Sequence, residues 1–148
     1  MKVINLPTKK VNYSKKLENA FRYFYNETGS QYYDEERENG IYYNYFRINE
    51  DICVQQKVII KQEDYVCYTI LSINAHNKNI DKFYSLINVL NSQIDYGNFE
   101  VDDKNGDIRY KTYYEPGDVI YMESIDKLLG YPLYIINRYA EEILNCLN

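Results

Sequence analysis

A chain of 148 residues has room for one domain with a core of its own, without staples of disulfide or metal. Its formal charge of −5 and pI near 4.9 oppose a nucleic-acid or anionic-membrane surface, since both attract basic patches. Three widely spaced cysteines, Cys53, Cys67 and Cys146, suit reduced thiols, and no apolar run is long enough for a signal peptide or a membrane span, so a cytoplasmic protein is expected.

Residues 1–13 read as a lead-in to an N-cap at Ser14. Leu17, Ala20, Phe21, Phe24 and Tyr25 then draw one apolar helical stripe, with Gly29 placed to end it and Lys15, Glu18, Arg22 and Asn26 on the opposite, solvent-facing side. The run from Gln31 to Gly40 contains Asp34, Glu35, Glu36 and Glu38. Contiguous carboxylates without a coordinating loop read as solvated surface rather than a cation site. Ile41 to Ile48 alternates as a strand, but Tyr42, Phe46 and Ile48 compete with Ile41, Tyr43 and Tyr45 for the inward face.

Two further strands, Cys53 to Lys61 and Tyr65 to Ile73, are joined by a polar turn. An even-numbered loop puts Val54, Val58, Ile60, Cys67, Leu71 and Ile73 on one face, and Cys53 and Cys67 on opposite faces, where no bridge can close. The second face is mixed, and on it Ile59, Val66, Tyr68 and Ile70 form an apolar patch rimmed by Gln55, Lys57 and Lys61. Patches of that kind mark interaction sites. The lone His76 stands in a polar run and reads as a solvated residue.

Asn79 is placed to cap a helix from Ile80 to Ile94 with its stripe on Ile80, Phe83, Ile87, Leu90 and Ile94. A hairpin follows. Asn105-Gly106 predicts a two-residue type I′ turn, which pairs Lys104 with Asp107, Asp102 with Arg109, Glu100 with Lys111, Val101 with Tyr110 and Phe99 with Thr112. Glu115-Pro116-Gly117-Asp118 reads as a turn, Glu123 to Leu129 as a short helix ended by Gly130, and Pro132 as the first turn of a closing helix that carries Leu133, Ile136, Tyr139, Ala140, Ile143, Leu144 and Leu147 inward. The 19 tyrosines are explained by AT-rich codons and by the fit of Tyr to a half-buried strand.

No catalytic, cofactor-binding or metal-binding residue is assigned. Metalloprotease, nucleophile-elbow and phosphate-loop motifs are absent. Asp102 to Gly106 imitates a calcium loop, but aligning Gly106 with its sixth position puts Val101 and Thr112 where carboxylates must stand. Glu141-Glu142 has no apolar setting to split the two pKa values.

The segments Phe83 to Asn91, Gly97 to Asp102, Asn105 to Tyr110 and the closing helix with Tyr139, taken with the order of elements, resemble the YbjN-type domain, whose fold is that of type III secretion chaperones. The resemblance implies an α+β domain over 1–148 with an antiparallel sheet of about five strands in the order α-βββ-α-ββ-α(α), and structural roles for Asn91 and Gly97. It also implies a non-enzymatic, often dimeric protein, described as a sensory-transduction regulator or chaperone-like module. The expected function is a homodimeric protein-binding module whose face of Ile59, Val66, Tyr68 and Ile70 takes a second copy of the chain in the simplest case and otherwise a protein cargo or regulatory partner, with no cofactor, nucleic acid or membrane. The alternative is a small carboxylate-dependent hydrolase, which needs two carboxyl groups about 5–10 Å apart.

Overall fold

The computed structural model describes residues 12–28, 33–36, 39–75 and 79–148, with 33–36 described by backbone alone. Gly29 and His76 lie outside these residues, as do 1–11 of the expected lead-in. The first helix, α1 (Lys15–Thr28), starts at Ser14, whose hydroxyl accepts the Leu17 N–H at 3.2 Å and whose carbonyl accepts the Glu18 N–H at 3.0 Å. Tyr13, assigned to the lead-in, is a core residue: its ring lies where a Cβ on Gly40 would fall, and Gly40 has φ +67°.

Six strands follow among the described residues: β1 (Tyr33–Glu36), β2 (Ile41–Arg47), β3 (Cys53–Ile60), β4 (Tyr65–Asn74), β5 (Asn98–Val101) and β6 (Asp107–Tyr114). They form one antiparallel sheet in the order β1-β2-β3-β4-β6-β5. The strand β1 is additional to those expected, and it falls inside the run read as solvated surface. Ile60 pairs with Tyr65 across a four-residue loop, so the even-loop faces of β3 and β4 hold, with Val54 opposite Leu71 and Val58 opposite Cys67. The inward parity of β2 is that of Tyr42, which is buried, and Phe46.

That parity brings Tyr42 beneath α1 and overturns the assignment of Glu18 to a solvated face. Glu18 is 4 % exposed. The Tyr42 hydroxyl donates to Glu18 Oε2 at 2.7 Å and accepts from Arg22 Nε at 3.0 Å, while Lys15 Nζ donates to Glu18 Oε1 at 3.3 Å. A buried carboxylate survives in a core only with such partners.

The helix α2 (Ile80–Ser92) buries Phe83, Ile87 and Leu90. Asn79 does not cap it, because its amide donates to the Leu147 carbonyl at 2.9 Å and ties the start of α2 to the chain's last helix. At the other end, Asn91 accepts the Phe99 N–H at 2.8 Å and donates to the Phe99 carbonyl at 3.1 Å. Gly97 (φ +76°) lies so near the Lys111 carbonyl that no Cβ would fit there. Both residues have the structural roles that the resemblance implies.

The β5–β6 hairpin departs from the expected register. Phe99 pairs with Tyr110, Glu100 with Arg109 and Val101 with Ile108, two residues from the predicted partners but with the faces unchanged. Asp102 is the cause. Its carboxylate accepts the Lys104 N–H at 2.9 Å and its carbonyl the Gly106 N–H at 2.7 Å, which gives a longer loop with positive φ at Gly106 alone rather than at both Asn105 and Gly106. The new register sets Arg109 Nε 2.8 Å from Glu100 Oε2. Both side chains are about a third exposed, so Glu100→Ala is expected to cost no more than about 1 kcal/mol in urea denaturation.

The chain does not break at Gly130 or Pro132. A continuous α3 (Met122–Arg138) contains both, and the break comes at Tyr139, before α4 (Ala140–Leu147). Pro132 has no N–H for the Leu128 carbonyl, and that interruption ordinarily ends or kinks a helix. Here the sheet supplies donors: Thr112 Oγ1 reaches the Leu128 carbonyl at 2.9 Å and Gln56 Nε2 the Leu129 carbonyl at 2.7 Å. Thus α3 spans two core clusters, one with α1 through Ile125, Leu128 and Leu129, the other with α2 and α4 through Ile135 and Ile136.

Candidate functional site

Both core clusters draw on the same face of the sheet, through Tyr42, Val54, Val58, Ile60, Cys67, Leu71 and Tyr110. No described helix packs through these clusters on the opposite face. Alternation along the strands puts three rows of side chains there. Ile41, Ile59, Val66 and Tyr113 make an aliphatic row closed by one ring. The next row reads Tyr43, Lys57, Tyr68, Lys111 and Asn98, and the third Tyr45, Gln55, Ile70, Arg109 and Glu100.

Ile59, Val66, Tyr68 and Ile70 therefore lie together, in adjoining positions on this open face. Val66 is 4 % exposed, flanked in register by Ile59 and Tyr113, whereas the other three are half-buried. Beside Ile70 is a shallow depression of about 610 Å³ lined by Tyr45, Phe46, Cys53, Gln55, Ile70 and Ser72.

The cations of β6 were missing from the sequence-derived patch. The guanidinium of Arg109 lies 4.9 Å from the centroid of the Tyr68 ring and the ammonium of Lys111 5.8 Å from it, while Lys57 lies 5.8 Å from the ring of Tyr43. The alternation of Arg109, Lys111 and Tyr113 was visible in the sequence. What it lacked was the strand order, which lays β6 against β4.

The strands β2 to β6 contribute Arg47, Lys57, Arg109 and Lys111 to this face against Glu100 and Asp107, while the chain as a whole carries −5. Around Tyr68 this face is thus cationic, through Lys57, Arg109 and Lys111, while the register of β1 sets Glu36 opposite Ile41 at the far edge of the sheet. Among the described residues no group of three His, Cys, Asp or Glu side chains is arranged to hold a metal ion. All three cysteines are free: Cys53 is exposed, and burial pushes the Cys67 thiol up to about 12, the opposite of what a reactive thiolate needs. Among the described residues no helix is long and apolar enough to cross a membrane.

No protein-family model matches the chain, and no curated protein matches it in sequence. In structure it is similar to YbjN from E. coli, described as a candidate transcription regulator. The TM-score is 0.63 at 6 % identity, over 84 % of this chain and 91 % of that one. The chain has the YbjN-type α+β fold that the segments from Phe83 onward suggested.

Proposed function

We propose that the protein is a non-enzymatic binding module, regulatory or chaperone-like, that takes a protein partner on the open face of its sheet. The single observation that carries this is a face on which Ile59, Tyr68 and Ile70 stand half-buried beside the buried Val66, with the helices of both described core clusters packed behind it. The fold shared with YbjN, itself described as a candidate regulator, supports a regulatory role. Homodimerisation belongs to the same reading but not to this face. Two copies opposed here would set one cationic surface on another, and an isologous contact needs self-complementarity.

Tyr68→Asp is expected to abolish partner capture while leaving the monomer folded and the dimer intact. It inserts a carboxylate on the open face, not in the core. Pull-down with wild-type and variant protein, accompanied by circular dichroism and sedimentation, tests this. Unchanged capture by a folded variant overturns the assignment of the face.

A further inference from the structure

The charge of the open face says more about the occupant than its apolar content does. Lys57 and Lys111 flank Tyr68 in one row, and neither forms an ion pair with an acid of the described residues. Arg109, one row along, has Glu100. The predicted hairpin register would have neutralised Lys111 with Glu100. The observed register puts Asn98 opposite it instead and leaves the ammonium available. Immediately beside this cationic row runs the aliphatic one, Ile59 and Val66 with Tyr113 at its end.

From this juxtaposition we infer that the occupant is an acidic, partly apolar polypeptide segment, its carboxylates on Lys57 and Lys111 and its apolar side chains on Ile59 and Tyr113, the accessible members of the row beside the buried Val66. The inference rests on the protein-binding reading above and gives its partner a chemistry. A single-stranded nucleic acid would also answer the cations, but the net charge of −5 opposes a continuous polyanion. A peptide with interspersed carboxylates avoids that repulsion while using both rows.

Fluorescence anisotropy with the full chain tests this, using labelled short peptides that alternate leucine with glutamate, with lysine or with serine, and a labelled oligothymidylate. The glutamate peptide is expected to bind, the lysine peptide not to, and binding should weaken as salt is raised. Reversing both cations, Lys57→Glu with Lys111→Glu, should lower the affinity about tenfold or more. Circular dichroism checks that the variant is folded, and the salt dependence of the unaltered protein decides the question if it is not. If the serine peptide binds as tightly as the glutamate peptide and Tyr68→Asp abolishes both, the face binds protein but the acidic partner is wrong. If no peptide binds, or only the oligothymidylate does, the inference and the reading beneath it both fall.

Discussion

Stability is expected to fall steeply as the pH rises through about 10, the ordinary pKa of tyrosine. Tyr42, Tyr65 and Tyr110 are essentially inaccessible, and burial raises the pKa of each; for Tyr42 the hydrogen bond to Glu18 raises it further. Their hydroxyls donate to Glu18, to the Leu17 carbonyl and to the Tyr96 carbonyl, and an ionised phenol cannot donate. The unfolded chain releases these protons near pH ~10 while the folded chain holds them. The contribution is therefore complete below that pH and is lost as the pH climbs toward the raised folded values. Each tyrosine gives a slope of about 1.4 kcal/mol per pH unit, so the three together give about 4 kcal/mol per unit. Against a net stability of about 5–15 kcal/mol, roughly one to four such units are needed to unfold the protein. Urea midpoints measured across this range should fall accordingly, and tyrosinate absorbance should show a late step coincident with loss of far-ultraviolet dichroism. Complete tyrosine ionisation with the fold intact contradicts the packing described for these rings.

Gly106→Val is expected to be the most damaging single substitution in the hairpin. Gly106 has φ +75°, and a Cβ there would run into the Ala75 carbonyl oxygen. The same approach is held by the Ala75 N–H donating to the Gly106 carbonyl at 2.8 Å, which fastens the loop to the end of β4. Backbone strain of about 1–3 kcal/mol and a steric cost of similar size both apply. At roughly 2–4 °C per kcal/mol for a chain of this length, the melting temperature should drop by several degrees or more. Asn105→Ala removes only an acceptor for the Asp107 N–H, 2.9 Å away, and should cost about 0.5–1.5 kcal/mol. Equal effects of the two substitutions are incompatible with this loop.

The contrast between these two positions also shows what could be read in advance. Stripes and alternation report burial directly, so α1, the stripe of α2 and the faces of β3 and β4 were legible. The Asn105-Gly106 pair is a real turn signal, but the carboxylate of Asp102 competes for the same backbone donors. The outcome displaced every partner by two residues without changing a face. Pro132 misled for another reason. Whether a proline breaks a helix depends on donors for the orphaned carbonyl, and Thr112 and Gln56 arrive from strands remote in sequence. Glu18 is buried because Tyr42 lies beneath it, a fact that belongs to β2. The apolar half of the open face followed from strand parity, whereas its cationic half required knowing that β6 lies beside β4.

The side-chain amide of Asn91 holds the N–H and the carbonyl of Phe99, the two groups that β5 turns away from β6. Those groups are where an incoming chain would add itself to the sheet. Asn91 acts as a terminator: it answers each with a group of its own, so that at this residue the boundary strand offers no template. Without Asn91 both of these Phe99 groups would stand unanswered at the margin of the sheet.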